Sequence, residues 1–187
     1  MGTLNVANLN LIGNTLTSSA NLNLTGSWTD APAGTIIQMA SASAGPARQT
    51  ITSATPVVIT GLSVDFTPRR SDSKILISAF ITSTVPHVTS VSVYQDGAAT
   101  ASTSGYTNTN AVNSDATRYE AIGSTTTSHL AQVPVLATLD AGSTTQRTYD
   151  IRHNASWSGN AYTVYVNDRG SNDMASFSRM FIYEVAQ

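Results

Sequence analysis

Apolar and polar residues alternate along much of the chain, with the period of two that is typical of strands with one buried face. The alternation is clearest at residues 57–66 and 88–95, and a denser apolar run with many β-branched residues occupies residues 74–84. No segment has the 3.6-residue period of a helix. Further strands are predicted over residues 35–42, 116–122, 130–139, 145–155, 161–167 and 176–185.

Polar segments separate these predicted strands. The dipeptide Asp96-Gly97 predicts a tight hairpin turn, and residues 43–48, 68–73 and 98–115 predict longer polar connections. Short strands at this spacing, joined by polar turns, are typical of proteins with two packed sheets. We therefore predict an all-β protein whose strands form a jelly-roll β-sandwich.

Residues 1–33 carry a pattern of their own. A seven-residue motif occurs twice, as ANLNLIG at residues 7–13 and as ANLNLTG at residues 20–26. Leu alternates with Asn in both copies, which predicts two short strands that each end at a glycine turn. Asp30 is the only charged side chain in this segment. The segment therefore differs from the rest of the chain in both pattern and charge.

The first 33 residues contain too little apolar surface to fold alone. Burying their larger apolar side chains yields less free energy than ordering the backbone costs, so the segment needs surfaces supplied by sister copies, by the main domain or by a partner. Pro32 and Gly34 mark a hinge after it. We predict two domains, an extended attachment arm at residues 1–33 and a β-sandwich knob at residues 34–187. The arm side chains expected to contact the partner are Leu4, Val6, Leu9, Leu11, Leu22 and Leu24.

The composition excludes several classes of function. Charged residues make up 11% of the chain, with 9 basic and 11 acidic side chains, whereas globular proteins average about 25%. Double-stranded nucleic acid binds through Lys and Arg, so we expect no nucleic-acid partner. The absence of cysteine excludes disulfides and thiolate metal sites. No apolar run reaches about 18 residues and no signal-peptide pattern is present, so we expect neither a membrane span nor a secretion signal.

No catalytic or cofactor motif is present. The chain lacks the G-x-S-x-G nucleophile turn, the P-loop and the dinucleotide-binding G-x-G-x-x-G. Pairs of acidic residues such as Asp140 and Asp150 occur in any β-rich chain with this many carboxylates, and glycoside cleavage needs a specific separation between them. We therefore predict no catalytic residues, no cofactor and no enzyme activity.

The sequence also gives no metal-binding pattern. His87, His129 and His153 are not spaced as metal ligands, and we expect each ring to lie on the surface or in a contact between chains. A symmetric trimer would still bring three copies of one histidine together on its axis. Residues 167–173 are acidic and contain glycine, but their carboxylates are not spaced as in a standard calcium loop. We predict a turn there and no metal site.

Three aromatic residues are candidates for contacts at the surface. Trp157 lies between the polar sequences NAS and SGN, which predicts the tip of a hairpin, and Tyr162 follows it. Tyr106 lies in the polar segment 98–115. An exposed ring can stack on a sugar or anchor a protein contact. The alternative is that these rings fold back over the end of the sandwich or pack between subunits.

Six short motifs in the predicted knob carry a family resemblance. They are GTIIQM at residues 34–39, TGLSVDFTP at 60–68, SDSKILI at 71–77, LDAGSTT at 139–145, YDIR at 149–152 and FIYEV at 181–185. Together they resemble virion-surface proteins of tailed bacteriophages, particularly those of marine and cyanobacterial phages. The resemblance covers residues 34–187. It implies a homotrimeric, TNF-like jelly-roll knob without catalytic residues.

This resemblance implies one of two roles. The first is a capsid decoration (cement) protein on the outer surface of the virion, whose arm binds the major capsid protein and stabilises the head. The second is a short tail fibre or head fibre, whose arm binds a tail adaptor and whose residues 98–115 and Trp157 contact glycans on the host surface. A fibre needs a long repetitive shaft, and only two short repeats are present. We therefore expect the decoration role, in a particle assembled in the host cytoplasm.

Overall fold

The structure, a computed structural model, describes residues 31–84, 89–99, 117–119, 130–157, 160–161, 163–169 and 175–187. In these ranges the chain forms antiparallel strands and no helix, which confirms the all-β prediction. The strands are β1 (Ile36–Ala44), β2 (Gln49–Ile51), β3 (Val57–Phe66), β4 (Lys74–Thr84), β5 (Thr89–Gln95), β6 (Ala98–Ala99), β7 (Thr117–Tyr119), β8 (Leu130–Asp140), β9 (Arg147–His153), β10 (Ser156–Trp157), β11 (Asn160–Ala161), β12 (Val164–Val166) and β13 (Ser178–Val185).

The longer strands of the first sheet have the order β1-β13-β4-β8. β8 pairs with β4 over the full length of both strands, from Lys74 opposite Asp140 to Thr84 opposite Leu130. On its other side β4 pairs with β13 and then, at Ser83, with β12. β2 pairs with β12 at the margin. The first sheet is therefore widest at the end where β12 and β2 join it.

The second sheet has the order β3-β9-β5-β6, and β7 also pairs with β5. The register of β3 against β9 shifts between Val58 and Ser63. Gly61 lies within this shift at a φ of +89°, and a Cβ added to it would lie 2.9 Å from the carbonyl oxygen of Ser43. Glycine is therefore what lets β3 bend and pass close to β1. β10 and β11 form a separate hairpin.

The core lies between the two sheets and follows the alternation in the sequence. Ile75, Ile77 and Ile81 of β4 are fully buried. They belong to one apolar cluster with Leu62 and Ile151 of the second sheet. The two sheets therefore pack face to face, as in the predicted β-sandwich.

The bounds of the strongest strands agree with the predictions. β3 and β4 match the predicted residues 57–66 and 74–84. β1, however, continues through Ser43 and Ala44 because both pair with β13, so the predicted loop at residues 43–48 begins too early. β2 has no counterpart among the predictions, because its sequence QTI is too short and too polar to give an alternating pattern.

The two ends of the sandwich differ. At one end, which we call the proximal end, short connections join β3 to β4 and β8 to β9. The predicted turn at Asp96-Gly97 lies there too and is confirmed by φ angles of 53° and 78°, because a type I′ turn needs positive φ at both residues. Residues leading into β1 also lie there, since the Gly34 N–H donates to the Ala186 carbonyl at 2.9 Å. The opposite, distal end carries the β10–β11 hairpin, which follows β9.

Candidate interaction surface

The outer face of the first sheet carries a group of apolar side chains, with Ser41, Ser78 and Arg179 between them. Strand pairing places Met39, Tyr183 and Leu76 side by side in one row across β1, β13 and β4. The next row contains Phe181 and, beyond Ser78, Leu136 on β8. We call the whole group the outer apolar face, and its members are Ile36, Met39, Leu76, Phe80, Pro134, Leu136, Phe177, Phe181 and Tyr183.

Several members of the outer apolar face are unusually exposed for large apolar residues. Met39 and Leu136 keep 61% and 60% of their surface exposed, and Phe80 keeps 42%. At the centre, the rings of Phe181 and Tyr183 stack with their centroids 6.4 Å apart. Contiguous exposed apolar surface of more than a few hundred Å² marks interaction sites in soluble proteins. This face is therefore the candidate interaction surface.

The β1 side of this face is concave. An open cavity of about 250 Å³ lies there, and we call it the β1 groove. At the proximal margin of the face, Lys74 and Asp140 form an exposed ion pair. The face therefore holds the aromatic rings at its centre, an ion pair at its proximal margin and the charged Arg179 in the β1 groove. The β1 groove is lined by Ser41, Ala42, Ser43, Arg179 and Phe181.

A buried carboxylate lies at the proximal end, and the sequence analysis does not identify it. Glu184 of β13 is fully buried. It accepts hydrogen bonds from the backbone N–H groups of Arg69 and Arg70 at 2.8 and 2.9 Å, and from the Ser73 hydroxyl at 2.6 Å. The Gln38 amide also donates to it at 2.7 Å. These bonds fix the connection between β3 and β4 against the first sheet.

The strand phase is the signal that could have identified Glu184. Met180 and Ile182 precede it at intervals of two residues on β13, and both are fully buried. Residues two apart on a strand point to the same face. The alternation therefore assigns Glu184 to the core, where a carboxylate needs several hydrogen-bond donors.

Arg70 joins the β3–β4 connection to the residues at both ends of the described chain. Its guanidinium donates to the carbonyl oxygens of Ala31 at 3.5 Å and Gln187 at 3.2 Å. The same guanidinium binds both carboxylate oxygens of Asp72, at 2.9 and 2.7 Å. Ala31, the first described residue after most of the predicted arm, therefore lies at the proximal end, next to Gln187.

His153 lies in the core, and the expectation of a surface or inter-chain position for it is wrong. It follows Tyr149 and Ile151 at intervals of two residues on β9, so its ring points inward as theirs do, and all three are fully buried. Its Nδ1 donates to the Asn154 carbonyl at 2.8 Å, and its Nε2 lies 3.3 Å from the Ser83 hydroxyl oxygen. Burial lowers the pKa of His153 to about 4.

Trp157 is the one predicted contact residue that falls within the described ranges. Its backbone pairs with Asn160 in the β10–β11 hairpin, which confirms the predicted hairpin. Tyr106 and Tyr162 lie outside the described residues, as do residues 170–174 of the predicted turn. The same holds for Leu4, Val6, Leu9, Leu11, Leu22, Leu24, His87 and His129, whose roles stay predictions.

No protein-family model matches the chain, and a search of curated proteins gives no match either. Across the described residues, no group of three or more His, Asp or Glu side chains is placed to hold a metal ion. Within the same part of the chain, no helix is long and apolar enough to cross a membrane. Among the described residues, the features that bear on function are therefore the outer apolar face and the two ends of the sandwich.

Proposed function

We propose that the chain is a non-enzymatic structural protein on the outer surface of a tailed-phage virion. Residues 34–187 form a homotrimeric jelly-roll knob, and residues 1–33 attach it to the major capsid protein. The knob thus acts as a decoration (cement) protein that stabilises the phage head. The observation that carries this proposal is the polarity of the knob: Ala31 lies at the proximal end, and the β10–β11 hairpin follows β9 at the distal end.

The strand order supports the jelly roll. Along the chain, the long strands β1, β3, β4 and β5 lie alternately in the first and second sheets, and β8, β9 and β13 continue this alternation. A jelly roll consists of eight strands in two Greek keys that form two packed sheets. The orders β1-β13-β4-β8 and β3-β9-β5-β6 are those expected for that fold.

The proximal end suits attachment through the arm. Arg70 holds the Ala31 carbonyl, and the buried Glu184 holds the backbone of the same connection. A pulling force on the arm would therefore be transmitted through these hydrogen bonds to the sandwich. The arm itself alternates Leu with Asn, so it can add strands to exposed sheet edges of a partner, with main-chain hydrogen bonds giving affinity. Leu9, Leu11, Leu22 and Leu24 would fill apolar grooves on that partner.

The outer apolar face supports self-association of the knobs. Its exposed residues, such as Met39 and Leu136, gain about 25 cal/mol for each Å² that an interface removes from water. A trimer would hold three arms around one axis, and each arm would reach a different capsid subunit. Such bridging would link neighbouring subunits and stabilise the head against the pressure of the packaged genome.

A short tail or head fibre is the second candidate. The observation in its favour is the hairpin of Trp157 and Asn160 at the distal end, opposite the departure of the arm. In that role the arm binds a tail adaptor and the distal end contacts glycans on the host surface. An exposed tryptophan is a common means of stacking on a sugar ring.

The position of the chain on the particle distinguishes these two roles. We would label virions that carry the protein with an antibody against the knob and examine them by electron microscopy. Decoration predicts label over the whole head, in many copies for each particle. Label confined to the tail, or to a few sites on the head, would favour the fibre, and virions without any label would overturn both proposals.

A further inference from the structure

We propose that the pairing of β1 with β13 is a load-bearing joint. It resists a pull on Ala31 along the strand axis and opens more easily when a force separates Ala31 from Gln187. The inference rests on the proposed function for the source of the load, which would reach Ala31 through the arm. It adds the direction in which the knob withstands that load, and this direction can be measured without a particle.

The two strands of the joint run in opposite directions. They pair over eight positions, and the last of these places Ala44 opposite Ser178 at the distal end. β1 therefore starts at the proximal end, where β13 finishes. The pairing continues beyond the strands, because the Ala186 N–H donates to the Thr35 carbonyl at 2.9 Å. A pull on the chain before β1 thus acts on the proximal end of this ladder of hydrogen bonds.

β13 is the fixed strand of the joint. On the side away from β1 it pairs with β4 from Arg179 to Val185, and β4 pairs with β8 over the full length of both strands. Met180, Ile182 and Glu184 of β13 are fully buried. β1 lies at the margin of the same sheet, so a pull from its N-terminal side would move β1 before it moves β13.

β1 is also held on the side away from β13. The Gln38 amide donates to the Thr67 carbonyl and to the Glu184 carboxylate, both at 2.7 Å. Near the other end of β1, β3 passes so close that a Cβ on Gly61 would lie 2.9 Å from the Ser43 carbonyl oxygen. A displacement of β1 along its own axis would therefore disturb these contacts together with the ladder.

The direction of the force decides how the hydrogen bonds of the ladder share it. A pull on Ala31 that is opposed at the distal end of β13 slides one strand past the other and loads all of the bonds at once. A force that separates Ala31 from Gln187 opens the ladder from the proximal end and loads the bonds one after another. Because a single hydrogen bond contributes only about 0.5–1.5 kcal/mol, a ladder resists force well only when its bonds are loaded together.

Arg70 bridges the end at which the ladder opens more easily. Its guanidinium donates to the Ala31 carbonyl at 3.5 Å and to the Gln187 carbonyl at 3.2 Å. These two residues lie just outside β1 and β13, on the proximal side of both strands. Opening the ladder from that end would first have to break this bridge, whereas sliding the strands past each other depends mainly on the ladder itself.

Two pairs of attachment points on the same two strands test the joint in the full-length protein. The chain contains no cysteine, so introduced cysteines are unique sites for the DNA handles of optical tweezers. Ala31→Cys with Phe177→Cys gives a lengthwise pull, because Phe177 is exposed and directly precedes β13 at the distal end. Ala31→Cys with Gln187→Cys opens the ladder from the proximal end.

A third pair is the matched control, because it pulls lengthwise without loading β1. Asp140→Cys with Phe177→Cys serves this purpose, since Asp140 is exposed and ends β8 at the proximal end. It shows whether the attachment at Phe177 withstands the force. Circular dichroism of each variant, before the handles are attached, checks that the fold is intact.

We expect the Ala31–Phe177 pair to unfold at a force several-fold higher than the Ala31–Gln187 pair at the same pulling rate. Forced unfolding follows the rate of unfolding, and that rate is lower when many bonds must break together. The control pair should be at least as strong as the Ala31–Phe177 pair. Adding Arg70→Gln should lower the force for the Ala31–Gln187 pair and leave the lengthwise force nearly unchanged.

The other outcomes separate the inference from the proposed function. Equal forces for the two Ala31 pairs would overturn the inference and leave the proposed function standing, because attachment through the arm does not require a directional joint. Low forces for both Ala31 pairs would overturn it too, whether or not the control pair is strong. Virions without any antibody label would instead overturn the proposed function, and the force measurement would still decide whether the joint is directional.

Discussion

Ser83 of β4 and His153 of β9 form a buried hydrogen bond between the two sheets. The Ser83 hydroxyl oxygen and the His153 Nε2 are 3.3 Å apart, and both residues are fully buried. Because Nδ1 of the same ring lies against the Asn154 carbonyl, one neutral tautomer satisfies both ring nitrogens, with Nδ1 as the donor and Nε2 as the acceptor. Protonation would place a charge between the sheets and remove the acceptor that Ser83 uses.

We expect the knob to lose stability in mild acid because of His153. Burial lowers its pKa to about 4, whereas an unfolded chain has a histidine pKa of about 6.5. As the pH falls below about 6.5, the unfolded state therefore takes up the proton first. Above about pH 6.5 the neutral His153 contributes fully to the free energy of unfolding. As the pH falls to about 4, that free energy decreases by up to about 3 kcal/mol. Urea unfolding at several pH values across this range measures it.

The variant His153→Gln is the control for this effect, because its side chain does not titrate in that range. We expect it to be less stable than the wild type near neutral pH and to depend less on pH. If its free energy of unfolding decreases with acid as steeply as that of the wild type, then groups other than His153 cause the acid sensitivity.

Glu184→Gln should destabilise the knob although it preserves the size of the side chain. The Oε1 atom accepts from the Arg70 N–H and the Ser73 hydroxyl, and Oε2 accepts from the Arg69 N–H and the Gln38 amide. In Glu184→Gln a nitrogen replaces one of these oxygens and cannot accept its bonds. Hydrogen bonds to a charged group contribute about 1.5–3 kcal/mol each, so we expect a loss of about 3 kcal/mol in the free energy of unfolding. Asp140→Asn, which removes an exposed ion pair with Lys74, is the control and should change stability much less. Similar losses for the two variants would contradict this account of Glu184.

Tyr149→Phe should leave the stability unchanged or raise it slightly. Within the described residues, the buried Tyr149 hydroxyl has no hydrogen-bond partner, while the ring packs edge-on against Phe66 with centroids 6.5 Å apart. Removing an unpartnered buried hydroxyl removes its desolvation cost, of about 1–3 kcal/mol at most. Thermal unfolding measures the change, and Tyr149→Ala, which also removes the ring, should lower the melting temperature strongly. A marked loss of stability in Tyr149→Phe would show that the hydroxyl has a partner.

Deletion of residues 1–27 should separate attachment from folding. Within the described residues the buried apolar core begins at Ile37, so we expect the shortened chain to unfold at nearly the same temperature as the full-length protein. Its binding to virions that lack the protein should be lost, because in the proposed function the arm supplies the contact. The full-length chain added to the same virions is the control in this pelleting assay. A shortened chain that binds as well as the control would overturn attachment through the arm.

The sequence predicts the strands well where one face alternates strongly. The bounds of β3 and β4 follow from positions such as Leu62, Val64, Ile75 and Ile77, which are buried in the structure. β2 is not predicted, because three residues of sequence QTI carry no periodic signal and depend on pairing with β12. Local pattern therefore determines the long strands, and tertiary pairing determines the short ones.

The outer apolar face could not be predicted from the sequence. Met39, Phe80, Leu136 and Phe181 each lie on a different strand, and within its own strand each alternates with buried residues as an ordinary outward position. They become neighbours only through the order β1-β13-β4-β8, which depends on contacts distant in sequence. In contrast to this face, the core positions of His153 and Glu184 could have been predicted, because each follows buried residues of its strand at intervals of two. Only the polar character of the two side chains argues against that assignment.

The contact of Arg70 with the carbonyls of Ala31 and Gln187 has a practical consequence for engineering. A polypeptide fused after Gln187 would emerge beside Ala31, so in the proposed role it would compete with the arm for space against the particle. Strands β10 and β11 follow β9 at the opposite end, so a foreign epitope or an affinity tag inserted into their hairpin would lie far from Ala31 and Gln187. For display on a particle surface, that hairpin is the better insertion point.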